Sequence, residues 1–295
     1  MEFMNSKSSN PMGEIVVKQP GLFSTIQDFG RYGSRKYGVP ESGIMDRYAF
    51  KICNLILGNS ENDAVLEITF LGPVLEFNAA TIICIGGANL SPKINNLEIE
   101  LNTAYQVKAG DILSFGKRKS GFRSYLAIKN GFQSPQILGS RSWFEAVTGN
   151  HRLQKNQLLH YQTSEAIKNN PHSAIHVNTD YLNSEMIETY EGPEFGKLPE
   201  SVQKHFFQQK FKVSGDSNRM AVQFEELINN DLKGIHTSPV MPGSVQLIPS
   251  GNLMVLMRDC QTTGGYPRVL QLSEYGIQVL SQKMPGEVVQ FCRKS

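Results

Sequence analysis

The chain has 295 residues, of which 40% are hydrophobic and 19% charged, a composition typical of a globular protein large enough for two domains. Its formal net charge of +2 gives no reason to expect a nucleic acid or an anionic membrane as partner. Four widely spaced cysteines without a Cys-x-x-Cys pair favour a reduced, cytoplasmic protein and predict no bound metal.

The first residues are predicted to lie outside the folded part of the chain. Residues 1–13 are polar and rich in Ser and Asn, and they lack the apolar segment of a signal peptide, so we expect a disordered leader. A first domain over residues 14–162 then begins with a strand at 14–18 and a glycine-rich structured loop at 20–40. No apolar run approaches the ~20 residues of a membrane span.

Residues 42–58 have helical character. Ser42 or Asp46 is placed to cap a helix that ends at Gly58, and apolar residues share one helical face. Asp46 and Arg47 would lie at its first turn, where free backbone N–H groups attract anions. Helix capping and ligand binding are therefore both open for Asp46.

The stretch from 64 to 132 is rich in short strands, at 65–71, 81–85, 112–115 and 124–128. Their even spacing predicts a β-barrel or a β-sandwich. Glu67 stands inside an apolar strand and is either an outward-facing residue or a site acid. The glycines at 86 and 87 predict a kinked strand exit.

An eight-residue pattern occurs in both halves of the chain. Lys-Ala-Gly-Asp-Ile-Leu-Ser-Phe at 108–115 is similar to Met-Pro-Gly-Glu-Val-Val-Gln-Phe at 284–291, and residues 155–159 form a weaker third copy without the glycine. We interpret the glycine and the acid as a turn that precedes the last strand of a barrel. Its repetition predicts a related barrel in each half.

A polar stretch at 163–184 is predicted to link the first domain to a second domain at 185–295. In the second domain, 199–211 and 274–280 have helical character. Strands are expected at 211–213, 245–248, 253–257 and 288–291.

One stretch combines a buried strand with a polar exit. The apolar run at 253–257 is followed by Arg258, Asp259 and Cys260, and then by Gln-Thr-Thr-Gly-Gly-Tyr-Pro at 261–267. Its amide and hydroxyl side chains supply hydrogen-bond donors, and its paired glycines permit a positive φ or a close backbone approach. A plain hairpin turn and a binding loop are both compatible with this pattern.

The same seven residues carry a resemblance to a known family. With further motifs in the family's order, residues 15–291 resemble the family of the 5-oxoprolinase C subunit, also called KipA, allophanate hydrolase subunit 2 or biotin-dependent carboxyltransferase family protein. The further motifs are Gln-Asp-Phe-Gly-Arg at 27–31, Ser-Gly-Ile-Met-Asp-Arg at 42–47, Leu-Glu-Ile-Thr at 66–69, Leu-Gly-Ser-Arg-Ser at 138–142, Ser-Asn-Arg-Met at 217–220 and Pro-Gly-Ser-Val-Gln at 242–246.

The resemblance implies a mainly β fold, with two cyclophilin-like β-barrel domains and a few short helices around a shared cleft. It implies a subunit of an ATP-dependent hydrolase that opens 5-oxoproline to glutamate. The partners would be a homologous protein of the KipI type, which is the B subunit of 5-oxoprolinase, and a third protein of the LamB/YcsF type, with ATP and Mg²⁺ in the complex. Two alternatives stay open: a urea- or allophanate-type carboxyltransferase component using carboxybiotin, and a non-catalytic KipA-like regulator that binds a kinase inhibitor.

The matched motifs supply the predicted site for a small amide or lactam. The predicted catalytic residues are Gln261, Thr262, Thr263, Asp46 and Arg219. The predicted substrate-binding residues are Asp28, Arg31, Arg47, Gly264, Gly265, Tyr266 and Arg258. The arginines are included because a guanidinium group can form paired hydrogen bonds to a carboxylate or a phosphate. We expect the two motif sets to face one cleft, and Arg219→Ala to weaken binding by roughly 1.5–3 kcal/mol without unfolding the chain.

The sequence also departs from the family pattern. The departures lie at Ala221-Val222, at residues 250–253, at Trp143-Phe144-Glu145 and at Asn156-Gln157, where a Gly-Asp turn is expected. We expect these positions to rim the cleft and to alter its substrate. No P-loop and no dinucleotide fingerprint is present.

Overall fold

The computed structural model describes residues 11–164 and 176–294, which contain twenty strands and three α-helices. The first half consists of β1 (Met12–Gln19), β2 (Phe23–Gln27), α1 (Arg47–Leu57), β3 (Val65–Thr69), β4 (Val74–Phe77), β5 (Thr81–Asn89), β6 (Lys93–Ile94), β7 (Leu97–Glu98), β8 (Ala104–Val107), β9 (Ile112–Ser114), β10 (Ser120–Ile128) and β11 (Leu158–Gln162). The second half consists of β12 (Met186–Glu191), α2 (Glu200–Gln208), β13 (Phe211–Lys212), β14 (Ala221–Leu227), β15 (Ser238–Pro239), β16 (Ser244–Leu247), β17 (Asn252–Leu256), β18 (Thr263–Gly264), β19 (Arg268–Leu272), α3 (Glu274–Ser281) and β20 (Val288–Arg293). The predicted mainly β fold with a few short helices is confirmed.

The first half folds into two antiparallel sheets, in the strand orders β11-β1-β4-β9-β6-β7 and β2-β3-β10-β5-β8. Alternate residues of both sheets, such as Ile15, Phe77 and Leu126, build one shared core. Helix α1 covers the other face of the second sheet, where Phe50 packs with Tyr125 and their neighbours. Burial of this sheet on both faces explains why its strands are nearly continuous apolar runs in the sequence.

Strand β5 runs through Gly86 and Gly87 as far as Asn89, so the predicted strand exit at these glycines is wrong. A Cβ on Gly86 would lie 2.6 Å from the Sγ atom of Cys53, so this glycine lets helix α1 approach the sheet. Gly87 has a φ of +75° and lies where the pairing register between β5 and β10 shifts. Both glycines therefore serve packing within the strand.

The second half contains a seven-stranded sheet in the order β13-β20-β12-β19-β16-β17-β14. An antiparallel bridge between Val213 and Phe224 joins its two ends, so the sheet nearly closes into a barrel. Only the pairing of β12 with β20 is parallel among the strand pairs of the described residues. Met45, from the segment before α1, is fully buried in the core of this barrel.

The repeated Gly-acid pattern forms the same turn in both halves. Gly110 and Gly286 each have a φ of 89°. The acid of each copy accepts a bond from the backbone three residues earlier, Asp111 from Lys108 N at 2.8 Å and Glu287 from Met284 N at 3.0 Å.

The third copy keeps this turn with different residues. Asn156 takes the glycine position with a φ of 66°, and Gln157 Oε1 replaces the carboxylate by accepting from Gln154 N at 2.9 Å. Asn is one of the few residues that tolerate a left-handed backbone, so the departure at Asn156-Gln157 changes the residues and preserves the turn.

Two of the helices begin at side-chain caps. Asp46 Oδ1 accepts bonds from Tyr48 N at 3.1 Å and Ala49 N at 3.0 Å, and Gly58 ends α1 in a left-handed conformation. The hydroxyl of Ser273 caps α3. The capping interpretation of Asp46 is therefore confirmed.

The predicted domain boundaries fall partly outside the described residues. Most of the leader, residues 1–10, and the middle of the linker, residues 165–175, lie outside them. Strand β1 already begins at Met12, before the predicted start of the first domain. The division at 163–184 stays a prediction.

No helix within residues 11–164 and 176–294 is long and apolar enough to cross a membrane. In the same part of the chain, no group of three or more His, Cys, Asp or Glu residues is arranged to hold a metal ion.

The turn at Gly286 gives a prediction about stability. Gly286→Ala should destabilise the protein by about 1–2 kcal/mol, because an alanine there must adopt a left-handed backbone. The expected measurement is the free energy of unfolding from urea denaturation. Gly149→Ala is the matched control, since neither glycine has a neighbour within 4 Å of an added Cβ and only Gly286 has a positive φ. Equal effects of the two substitutions would contradict this account.

Candidate functional site

A buried arginine joins the two halves of the chain. The guanidinium of Arg219 bonds Glu67 through Nη1, donates to Gly43 O at 2.6 Å and to Asp259 Oδ2 at 2.8 Å. Only 7% of Arg219 and none of Glu67 is exposed. Burial alone would lower the pKa of Arg219, but the charges of Asp259 and Glu67 outweigh it and raise the pKa above its ordinary value. Arg219 therefore occupies an internal ion-pair network, which we call the Arg219 network.

Glu67 is the first-half member of this network and faces neither solvent nor an open cleft. Its Oε2 atom accepts a bond from Met45 N at 2.9 Å, and its Oε1 atom lies 3.8 Å from Arg123 Nε. Arg123 is itself buried, which lowers its pKa, and it donates to Ser281 O in the second half. Of the two interpretations open for Glu67, the outward-facing one is wrong, because both carboxylate oxygens are held inside the protein.

Asp46 is a second buried junction. Its Oδ2 atom accepts bonds from Tyr181 OH at 2.6 Å and Gln282 Nε2 at 2.8 Å, while Oδ1 caps α1. Burial raises the pKa of Asp46, and the four hydrogen bonds that it accepts oppose that rise. Because all four donors come from the protein itself, Asp46 fixes α1 against the second half.

Asp28 organises a loop of the first half. Its carboxylate accepts bonds from Gly30 N at 2.9 Å, Ser142 Oγ at 2.6 Å and Arg141 N at 2.6 Å, and also from Ser140 Oγ. The motif at 138–142 is therefore bound to the motif at 27–31 through one buried acid, which leaves Asp28 little capacity for a ligand.

The arginines of the predicted site differ in how their guanidinium groups are used. Arg258 donates to Ile44 O at 3.0 Å and pairs with Glu274, whose other oxygen accepts from Arg47 at 3.2 Å. Arg47 also donates to Tyr32 OH at 2.9 Å.

Arg31 has spare donors. Its Nη2 atom donates to Ser142 O, whereas its buried Nε and Nη1 atoms have no partner among the described residues. Burial lowers the pKa of Arg31, although Asp28 and Asp259 oppose the shift.

The loop at 261–266 is the exposed part of the predicted site. Its backbone is held by Val240 N, which donates to Thr262 O at 3.1 Å, and by the pairing of β18 with β15. Arg35, which sequence reasoning missed, donates to the same Thr262 oxygen at 3.3 Å and so connects the loop to the first half. No hydrogen bond within the described residues uses the side chains of Gln261, Thr262 or Thr263.

The two glycines of this loop differ in their packing. Neither has a positive φ, so of the two uses that the sequence permitted, a positive φ and a close backbone approach, only the close approach remains. It applies to Gly264, whereas a Cβ on Gly265 would lie an ordinary 3.6 Å from Ile235 O. A Cβ on Gly264 would lie 2.5 Å from Gln246 Nε2, a buried donor without a hydrogen-bond partner in the described part of the chain. Tyr266 follows with 43% of its surface exposed.

The structure thus brings the two motif sets together but divides them into an inner and an outer layer. The inner layer is buried and internally bonded, and it contains Asp28, Asp46, Arg219 and Arg258. The outer layer is more exposed, and it contains Arg35, Arg47 and residues 261–266. The predicted catalytic and binding roles of all these residues stay predictions.

Several residues that complete the inner layer were not predicted. Ser140 and Ser142 were named only as members of the motif at 138–142. Nothing in the sequence pointed to a role in the site for Tyr181, Glu274, Ser281 or Gln282. Two of the departures from the family pattern also lie inside the protein, because Trp143 and Val222 belong to the hydrophobic cores. The expectation that these two positions rim the cleft is wrong.

Because Arg219 is buried and paired in the Arg219 network, we no longer expect its substitution to spare the fold. Arg219→Met should destabilise the protein by about 3–5 kcal/mol, because Glu67 and Asp259 lose their shared buried cation. Adding Glu67→Gln should restore part of that loss, since the amide oxygen still serves Met45 N without a buried charge. Urea denaturation measures both variants.

Lys119→Met is the matched control for Arg219→Met. Lys119 pairs with Glu98 at 3.4 Å on the surface, where both side chains are more than half exposed, so the loss should stay below about 1 kcal/mol. A loss for Arg219→Met as small as that of the control would contradict the structural role of the network.

Comparison with known proteins confirms the resemblance found in the motifs. A family model described as "Carboxyltransferase domain, subdomain A and B" matches residues 37–293. The C subunit of 5-oxoprolinase from Escherichia coli (strain K12) is 30% identical over 285 residues, which cover 95% of this chain and 91% of that protein. Its counterpart from Haemophilus influenzae is 29% identical over 276 residues, covering 91% of this chain and 87% of that protein.

A second group of relatives is much longer. The urea amidolyase of Saccharomyces cerevisiae is 31% identical over 313 residues, covering 98% of this chain but 17% of that protein. The crystal structure of the K. lactis urea amidolyase superimposes with a TM-score of 0.83 and 28% identity over 99% of this chain and 19% of that one. The chain therefore belongs to the family of the carboxyltransferase domain, subdomains A and B, and is homologous to the C subunit of 5-oxoprolinase and to the carboxyltransferase domains of urea amidolyase.

Proposed function

We propose that this chain is a subunit of a cytoplasmic, ATP-dependent hydrolase that opens 5-oxoproline, or a closely related small lactam or amide, together with partner subunits. The relatives named as the C subunit of 5-oxoprolinase match nearly the whole chain, which supports this assignment over one based on longer proteins. The observation that carries the proposal is a set of neutral donors at Gln261, Thr262 and Thr263 whose side chains make no hydrogen bond to the described residues, beside a first-half arginine, Arg35.

These side chains suit a planar amide. The Gln261 amide and the two threonine hydroxyls donate hydrogen bonds to the lactam oxygen and accept one from its N–H group. Tyr266 offers an aromatic edge or face to the ring. Each such bond contributes about 0.5–1.5 kcal/mol, so several are needed to hold a small ligand against water.

Both layers orient this loop. Asp259 precedes the loop and is fixed by Arg219, and Thr262 O is fixed by Arg35. Arg31, whose Nε and Nη1 atoms have no partner among the described residues, is the buried cation with spare capacity for negative charge among the predicted site residues. Because the buried acids are already occupied by protein donors, we assign the proton-transferring groups of the reaction to a partner subunit.

The described residues do not fit a nucleotide on their own. They contain no phosphate-binding glycine loop that leads into a helix and no cluster of carboxylates arranged for a metal ion. We therefore place ATP and Mg²⁺ at a site completed by the two partners, the homologous KipI-type protein, or B subunit of 5-oxoprolinase, and the third, LamB/YcsF-type protein. We assign no reaction step on this chain to ATP or Mg²⁺.

A second candidate function is supported by a separate observation. The family model is that of a carboxyltransferase domain, and the urea amidolyase structure superimposes on almost the entire chain. Under this alternative the same donors hold urea, which is also a planar amide, and carboxybiotin on another protein supplies the carboxyl group. The regulatory alternative, a KipA-like protein that binds a kinase inhibitor, keeps the fold without turnover.

Co-expression tests which candidate applies. The chain purified with its two partner subunits should hydrolyse ATP only when 5-oxoproline is added, and none of the three proteins should do so alone. Urea with a biotin carrier protein, added to the same preparation, tests the carboxyltransferase alternative. A stable complex that turns over neither substrate would contradict both enzymatic candidates and favour the regulatory one.

The loop side chains give a second, quantitative test in that complex. Gln261→Ala and Thr263→Val should each lower kcat/KM for 5-oxoproline by roughly two- to twelvefold, which corresponds to about 0.5–1.5 kcal/mol of lost hydrogen bonding. Unfolding curves should stay unchanged because both side chains are exposed. The control is Gln19→Ala, an exposed glutamine at the end of β1, which should retain full activity. Full activity of both loop variants would contradict the assignment.

A further inference from the structure

A small pocket lies on the side of the molecule where α1 meets α3. It has a volume of about 210 Å³ and is lined by Tyr48, Asn178, Asp180, Tyr181, Tyr275 and Gln278. Three of its six lining residues are tyrosines, and Asp180 is the only charged one. None of these residues belongs to the predicted amide site.

Two of the tyrosines are fixed in place by their hydroxyl groups. Tyr48 OH accepts a bond from Asn178 N at 3.0 Å, and Tyr181 OH donates to Asp46 at 2.6 Å. Their rings stand at 82° to each other with centroids 5.5 Å apart, so they form two walls of a corner. Tyr275 adds a third ring from α3 and is 45% exposed. The two walls made by Tyr48 and Tyr181 are therefore ordered before any ligand enters, which lowers the entropy cost of binding.

The electrostatic character of the pocket favours a positive charge. The Asp180 carboxylate has no ion pair among the described residues. The nearby arginine at the start of α1, Arg47, is already paired with Glu274 at 3.2 Å. Aromatic faces attract cations through their quadrupole, and a carboxylate at the rim adds a direct charge interaction.

We propose that this pocket binds a small organic cation, of the alkylated or quaternary ammonium class. An alkylammonium group matches the three aromatic walls, whereas an anion would be repelled by the Asp180 carboxylate and the ring faces and would find no cationic side chain among the lining residues. The volume suits a single headgroup and not a large ligand. The proposal does not depend on which reaction the amide site supports.

The occupied pocket would also bear on the junction between the halves. Tyr181 is a wall of the pocket and a hydrogen-bond donor to Asp46, and Asp46 in turn accepts from Gln282. A ligand that packs on Tyr181 binds the folded chain only, so it should raise the melting temperature in a concentration-dependent manner.

The test uses choline as the probe and its uncharged isostere, 3,3-dimethyl-1-butanol, as the matched ligand. Titration of the full-length chain by calorimetry or NMR should give a Kd for choline on the order of 1 mM and a weaker one for the alcohol, by roughly 2- to 30-fold. Equal binding of the two ligands would show that only apolar contact matters and would overturn the proposal, as would the absence of saturable choline binding.

Variants then locate the site. Tyr275→Leu should weaken choline by roughly 2- to 30-fold while Tyr275→Phe retains it, because the ring face and not the hydroxyl makes the contact. Asp180→Asn should weaken choline by roughly 1.5- to 5-fold, with a smaller effect at high salt. Tyr190→Leu is the control, since Tyr190 is 48% exposed on β12 and does not line the pocket. Choline binding that is unchanged in both Tyr275→Leu and Asp180→Asn would overturn the assignment to this pocket.

Discussion

The buried guanidinium of Arg219 connects the first half of this protein to the entry of the loop at 261–266. It contacts Glu67 on β3, Gly43 in the segment before α1 and Asp259 at the entry to the loop at 261–266. Two acids and one cation removed from water are stable only while all of them remain paired. The loop, the helix cap at Asp46 and the first sheet therefore keep a fixed relation to one another, and the entry to the loop is held by groups that are largely buried.

Local sequence signals were enough to place the three helices and about half of the strands. The loop predicted at 20–40 is partly wrong, because it contains the buried strand β2. The cap at Asp46 and the stop at Gly58 set the limits of α1, and the Gly-acid pair marked the same turn in both halves. These signals work because the hydrogen bonds of caps and turns are made between residues only a few positions apart. The Gly86 prediction failed for the opposite reason: the feature that requires a glycine there is Cys53 on a separate helix. Sequence spacing contains no information about such an approach.

The candidate site shows the same limit more clearly. Motif residues such as Arg219 and Asp46 were identified, but a charged residue in a motif is equally compatible with a ligand and with a buried partner far away in sequence. Glu67 and Arg219 are 152 positions apart, and Gln282 and Asp46 are 236 apart. Only the three-dimensional arrangement distinguishes residues that bond other parts of the protein from exposed residues such as Gln261 and Thr263. In this chain, the charged motif residues Arg219 and Asp46 are of the first kind.

Met45 has a consequence for how the protein is made. This side chain comes from the first half of the chain but is buried in the core of the second. During synthesis, Met45 and Glu67 emerge from the ribosome before Arg219 does, and the 152 positions between Glu67 and Arg219 correspond to a delay of roughly 8–30 s at ordinary elongation rates. Throughout that interval Glu67 lacks its Arg219 partner, and the Met45 side chain lacks the core in which it is buried. A gene split between the halves would therefore leave Met45 without its core and Arg219 without Glu67 until the two fragments associate.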